Sequence, residues 1–285
     1  MSQAHPGSVV VGVDGSPHGD AALTWAVAQA QLAARPLLVV HAAGGLSSGE
    51  LLGGPTESAQ LRSMPARRVT EEAVAVARRI APGLRVDAAT PVGDARRVLL
   101  DLSVQAAMVV VGTRGHGSIT SLLLGSVSQA VVSHAHSSVA VVRPRTEPPR
   151  GVVVGLALDG TDDASLEFAA QLAAAKHLAL DAVHAWRADD PLAVAPTQGQ
   201  RIVTMRRHER ALAEALAGVG EKFPDIQVNR HLPEQRAVDA LVAWSPGADC
   251  VVVGSRGLTG LHRLMGSVSR AVIEHAHSTV VVVRA

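Results

Sequence analysis

The chain has 285 residues, 47% of them apolar and 18% charged, which supplies core for two domains and excludes a disordered chain. With 26 basic and 25 acidic side chains the formal charge is +1, and aromatics make up 2%. The chain therefore lacks the basic stripe and the stacking platforms of a nucleic-acid binder, and no nucleic acid is expected as a partner. One cysteine, Cys250, excludes an intrachain disulfide and a Cys-based zinc cage, and no apolar run exceeds the six residues 106–111, so no membrane span is expected.

In chain order, the opening MSQAHPGS has neither the basic nor the apolar region of a secretory signal, so a cytoplasmic location is expected. Strands are predicted near 8–14, 37–42, 84–89, 108–112 and 138–143, and helices near 17–34, 66–81, 94–106 and 126–135. The stretch from Ala43 to Met64 is rich in Gly and Ser and long for a loop; it reads either as a cover over a ligand or as a disordered insertion. Residues 144–150, Pro-rich, continue neither strand nor helix and read as a linker. Beyond it, strands are predicted near 151–158, 179–185, 226–231, 249–254 and 279–284. The strands are unbroken Val/Leu runs, so both faces should be buried, and strands of that kind alternating with helices make a parallel sheet covered on both sides.

The second half repeats the first. His134–Arg143 returns as His275–Arg284, Val109–Gly115 returns as Val251–Gly257, and Val10–Gly15 returns as Val154–Gly160 with Asp14 matched to Asp159. Matches in one order at one period indicate a duplicated domain. The expected division is 1–143, a linker at 144–150, and 151–285.

In such sheets ligands bind beyond the carboxyl ends of the strands, where strand order reverses. The loop after the fourth strand carries Gly112, Gly115 and Gly125, and Ser126 is predicted to cap the next helix. Glycines there let backbone N–H groups approach an anion, and the helix start adds more. Taken alone, the same glycines read equally as tight turns. After the first strand, Asp14-Gly15-Ser16-Pro17 and Asp159-Gly160-Thr161-Asp162 each place a carboxylate at a strand end, with Ser16 or Thr161 as the cap. A carboxylate so placed accepts hydrogen bonds from a ribose hydroxyl or holds hydrated Mg²⁺ near phosphates.

On these residues the chain resembles the universal stress protein family in its tandem, two-domain form. That family's ATP-binding pattern is Gly, two residues, Gly, nine residues, Gly, then Ser or Thr, and Gly112, Gly115, Gly125 and Ser126 meet it without a gap. The resemblance implies two tandem five-stranded parallel α/β sandwiches, Rossmann-like, with strand order 3-2-1-4-5. It implies ATP as ligand, with Mg near Asp14. In the first half, Gly12, Val13 and Asp14 would line the adenosine end, Ala42 the adenine, Val111 and Gly112 the end of the fourth strand, and Gly115, Gly125, Ser126 and Val127 the phosphates. In the second half the counterparts are Ala157, Leu158 and Asp159, then Ala185, then Val253 and Gly254, then Gly257, Gly266, Ser267 and Val268.

The resemblance also implies that the last strands of the two halves pair into a pseudo-dimer within the chain, and that copies form a homodimer. The function it implies is a nucleotide-dependent stress-response regulator, read by a protein partner and without robust catalysis. The rival is a slow ATPase or autophosphorylating enzyme, for which His116 is the candidate base. The second half departs from the pattern: eight residues separate Gly257 from Gly266, and Gln235 and Arg236 stand where the first half has Gly93 and Asp94. A weaker or remodelled second site is expected. Arg114 and Arg256 in the glycine loops read as phosphate ligands or as a solvated face. The pairs His134/His136 and His275/His277 lie two apart, which does not share a helical face, so no metal held by side chains alone is expected.

Overall fold

Short valine-rich runs set the strands, because β-branched side chains pack well on a pleated surface buried on both sides. The computed structural model describes residues 5–44, 57–115, 124–145, 147–187, 197–255 and 265–284, with backbone only over 57–64. The chain divides into two compact units, Met1–Pro144 and Arg145–Ala285.

The first unit has strands β1 (Val9–Gly12), β2 (Leu37–Val40), β3 (Val86–Ala89), β4 (Met108–Gly112) and β5 (Ser138–Val142). Its helices are α1 (Pro17–Leu32), α2 (Glu57–Ile80), α3 (Ala95–Ser103) and α4 (Ser126–His134). Every strand pair is parallel, and the order across the sheet is β3-β2-β1-β4-β5. Val10, Val11, Val109 and Val110 are fully buried. Helix α1 turns Leu23, Ala26, Val27 and Ala30 onto the sheet, and its alanines allow close approach.

The second unit repeats this plan with β6 (Gly151–Gly155), β7 (Ala179–Val183), β8 (Val228–His231), β9 (Cys250–Gly254) and β10 (Thr279–Val283) in the order β8-β7-β6-β9-β10, all parallel. Its helices are α5 (Asp163–Lys176), α6 (Gln198–Lys222), α7 (Ala237–Trp244) and α8 (Ser267–His275). In each unit the connections reverse between the first and fourth strands, which opens a crevice at their carboxyl ends.

One helix departs from expectation. Helix α2 begins at Glu57 and runs through Pro65, whereas the sequence suggested a start near 66. A proline removes one amide donor from the ladder and kinks a helix without forbidding it. Residues 45–56 of the Gly/Ser-rich stretch lie outside the described residues. Among the described residues no helix is long and apolar enough to cross a membrane.

Candidate functional site

The first crevice is built by the way β1 and β4 end. The Val13 N–H donates to the Val40 carbonyl at 2.9 Å, and His41 Nδ1 donates to the Val13 carbonyl at 2.7 Å, so the exit of β1 is clasped to that of β2. Asp14 follows: its Oδ1 accepts the Ser16 N–H at 3.0 Å and the Ser16 hydroxyl at 2.6 Å. The same hydroxyl oxygen accepts the Gly19 N–H at 3.2 Å and caps α1. Gly15 makes the turn at φ +78°, a conformation that favours glycine.

The exit of β4 lies hard against α1. A Cβ on Gly112 would come within 2.7 Å of the His18 carbonyl oxygen. The Gly125 N–H donates to the Thr113 carbonyl at 2.8 Å, and the Ser128 hydroxyl donates to the Gly112 carbonyl at 2.6 Å, so both ends of the glycine loop are tied together. A Cβ on Gly115 would overlap the Asp14 carboxylate, and one on Gly19 would approach its Oδ1 to 2.8 Å. The carboxylate thus sits in a slot that glycine alone leaves open.

All ten residues expected of the first half, from Gly12 to Val127, line this one cleft of about 470 Å³. Arg114 lines it as well. The expected cap shifts by one position: Gly125, at φ −65° and ψ 154°, is the N-cap of α4, and Ser126 is its first helical residue. Gly125 has no side chain to bond the first turn, so among the described residues no side-chain cap covers the N–H groups at the start of α4, which border the cleft. That backbone donor set, beside a carboxylate and an arginine, fits a polyphosphate attached to a sugar.

The opposite wall is apolar and was missed in the sequence. Ala95 and Leu99 of α3 line the cleft together with Val40. The signal was present, since positions four apart share a helix face. Asp94 caps α3, its Oδ1 accepting the Arg96 N–H at 2.8 Å, and its carboxylate also pairs with the Arg96 side chain. The Arg96 side chain and backbone bonds hold the Asp94 carboxyl down at about 2. Because its pKa is depressed on folding, Asp94 stabilises the fold above the ordinary carboxylate range, and this is lost as pH falls toward 2. Asp94→Ala should cost about 1 kcal/mol at neutral pH, and an acid titration of stability should show the difference from the parent closing between about pH 4 and about pH 2.

The second crevice repeats the clasp and changes the carboxylate. The Leu156 N–H donates to the Val183 carbonyl at 3.0 Å, and His184 Nδ1 donates to the Leu156 carbonyl at 2.8 Å. Leu156 and Ala157 therefore stand where the first unit has Val13 and Asp14. Leu158, at φ +58°, takes the place of Gly15. Pairing Asp159 with Asp14 is corrected accordingly: the loop is three residues longer here, running to Asp162 where the first unit reaches Ser16. Asp159 still makes its local turn, accepting the Thr161 N–H at 3.0 Å and hydroxyl at 2.6 Å, but it is exposed.

A cleft of about 450 Å³ is lined by Ala157, Ala185, Val253, Gly254, Gly266, Ser267 and Val268 of the expected set, and not by Leu158 or Asp159. Asp162, His184, Ala237 and Leu241 line it in addition. The loop ends are tied as before, Gly266 N–H to the Ser255 carbonyl at 3.2 Å and Ser269 hydroxyl to the Gly254 carbonyl at 2.7 Å, although the loop is one residue shorter. Gly266 is the N-cap of α8 and Ser267 its first residue. Gly257, Arg256 and, in the first unit, His116 lie outside the described residues. Asp162 carries the carboxylate of this cleft; burial pushes its pKa up, and hydrogen bonds from the Ala157 and Leu158 amides pull against that.

The first histidine of each pair serves a helix end: His134 Nδ1 bonds the Ala130 carbonyl at 3.2 Å and His275 Nδ1 the Ala271 carbonyl at 2.9 Å. Among the described residues no group of three or more His, Cys, Asp or Glu could hold a metal ion.

The profile of the Universal stress protein family matches residues 7–143 and 150–284. Universal stress protein Rv1996 of Mycobacterium tuberculosis (strain ATCC 25618 / H37Rv) is 33% identical over 304 residues, covering 97% of this chain and 94% of that protein. Universal stress protein Rv2005c of the same strain is 34% identical over 291 residues, covering 97% and 96%. Among solved structures, the crystal structure of a universal stress protein from Archaeoglobus fulgidus DSM 4304 superposes with a TM-score of 0.70 at 20% identity, over 97% of this chain and 98% of that one, a likeness of fold.

Proposed function

The chain belongs to the universal stress protein family, and from that premise we propose that it is an ATP-binding regulator of a stress response without robust turnover. The observation that carries this reading is the convergence of Asp14, the three glycines of the loop and the uncapped start of α4 on one cleft of about 470 Å³, a size that suits a small-molecule ligand. In this reading the Asp14 carboxylate, held by Ser16, accepts ribose hydroxyls. The amides of Gly115 and of the first turn of α4 take the phosphates, with Mg²⁺ near Asp14. Ala42, Ala95 and Leu99 give the base an apolar slot.

Bound ATP would stabilise the unit by about 2.7 kcal/mol at a free concentration 100 times the Kd. A protein partner, or a second copy of the chain, would then read that state in the cytoplasm. Efficient hydrolysis requires a positioned water and charge stabilisation at the γ-phosphate, and none of the described residues lining the first cleft is a general base placed for that task beyond Asp14, which is engaged with Ser16.

The direct test is mass spectrometry of protein denatured immediately after isolation from cells, which should release an adenine nucleotide in at least equimolar amount. Its absence there, together with no binding at millimolar ATP, would sink the reading. With Mg²⁺-ATP the protein should release phosphate no faster than about once per minute, far below the ~10 s⁻¹ typical of enzymes. Sustained release near that typical rate, lost in Asp14→Ala, would make it an enzyme instead.

A further inference from the structure

The two clefts differ at the carboxylate, and the difference changes which residue recognises the ligand. At the exit of β6 the position equivalent to Asp14 is Ala157, which has no acid to offer. Asp159, which keeps the local Asp-Gly-Thr motif, is exposed and outside the cleft. Asp162 lines it. We infer that Asp162 is the hydroxyl-recognising group of the second cleft, there to accept hydrogen bonds from the vicinal diol of a ribonucleoside; this rests on the nucleotide reading above.

Two observations support the assignment. Asp162 is the N-cap of α5, yet its side chain makes no bond to its own helix. It reaches back along the loop, Oδ1 accepting the Ala157 N–H at 3.0 Å and Oδ2 the Leu158 N–H at 2.6 Å. Each carboxylate oxygen has a second lone pair, so both retain capacity for a ligand hydroxyl. The two amides also fix the orientation of the carboxylate, so little rotamer freedom remains to be lost on binding.

The backbone cost points the same way. Leu158 holds φ +58°, a left-handed conformation that is unfavourable for a non-glycine residue. Such a residue persists where its surroundings over-determine it, and outliers of this kind gather at ligand clamps. Here the bond to Asp162 is what holds the Leu158 amide. Burial raises the pKa of Asp162, so the ionised group gains from extra donors, and a diol supplies two. His184, buried and lining the same cleft, has both ring nitrogens engaged, Nδ1 with the Leu156 carbonyl at 2.8 Å and Nε2 with His208 Nδ1 at 2.9 Å.

The test uses the full chain carrying Gly115→Ala, so that the first cleft no longer masks the second. Affinities for ATP and for 2′-deoxy-ATP are measured by equilibrium dialysis in that background, with Asp162→Asn or Asp159→Asn added. Asparagine keeps an oxygen that can accept an amide and removes the charge. The expected result is a preference for the ribonucleotide in the background chain. Asp162→Asn should weaken ATP at least tenfold more than Asp159→Asn does and bring the two ligands to equal affinity.

A larger loss in Asp159→Asn, or a ribose preference that survives Asp162→Asn, would overturn the assignment. So would a background chain that does not distinguish the two nucleotides, a result that needs no second substitution and stands even if Asp162→Asn fails to fold. If the background chain binds neither nucleotide while the unmodified protein binds one equivalent, this inference fails and the first-cleft reading survives. If the unmodified protein binds none, both fail.

Discussion

Gly115→Ala is expected to lower ATP affinity about 100-fold, equivalent to about 2.7 kcal/mol, while leaving the melting temperature of the ligand-free protein nearly unchanged. The added Cβ would overlap the Asp14 carboxylate, whose other oxygen is pinned by the Ser16 amide and hydroxyl. Either the carboxylate leaves that anchor or the loop backs away, and both outcomes separate the acid from the loop amides that must act with it. Gly115 lies in a loop and not in a strand or helix, so the fold has little to lose. Isothermal titration with ATP and a thermal melt without it would check the two halves of the statement. Unchanged ATP affinity would remove Gly115 from the phosphate cradle.

The second large effect concerns stability. Asp249, at the entry to β9, has a side chain only 2% exposed and accepts from Arg145 Nη1 at 2.8 Å and Lys176 Nζ at 2.6 Å. Breaking a buried pair by removing one partner commonly costs about 3–5 kcal/mol because a charge is stranded. Here the stranded groups would be Arg145 and Lys176, 42% and 28% exposed, and water recovers part of the loss. Asp249→Ala should therefore destabilise the second unit by about 2 kcal/mol, lowering its midpoint by roughly 8 °C in calorimetry. The equivalent residue of the first unit is Ala107, whose N–H bonds Ser8 as that of Asp249 bonds Gly151. The strand thus starts there without an ion pair, and an unchanged midpoint in Asp249→Ala would show that the triad contributes nothing to the second unit either.

How far the site could be read in advance depended on how local each feature is. The glycine pattern was legible because Gly112 closes a strand whose valines announce it, Gly115 follows three residues on, and Gly125 opens the next helix. The alignment of Asp159 with Asp14 went astray for a physical reason. Both aspartates bond the residue two positions on, Ser16 or Thr161, and so carry the same local motif. Where the strand exits is decided elsewhere, by the Leu156 amide on Val183 and by His184 on Leu156. The apolar wall from α3 was legible in part, since Ala95 and Leu99 share a face, but which face meets the cleft was not. The Asp249 triad joins residues 73 and 104 positions apart, a separation no window of sequence reports.

By itself, then, the order of residues determined the duplicated α/β architecture, the parallel strands and the position of the glycine loop, because burial of unbroken valine runs and the freedom of glycine are properties of short segments. Only the tertiary structure decided that Asp162 and not Asp159 enters the second cleft, that Gly125 rather than Ser126 caps α4, and that Asp249 anchors two cations. Each of those depends on which distant backbone or charge a side chain meets once the strands are in register.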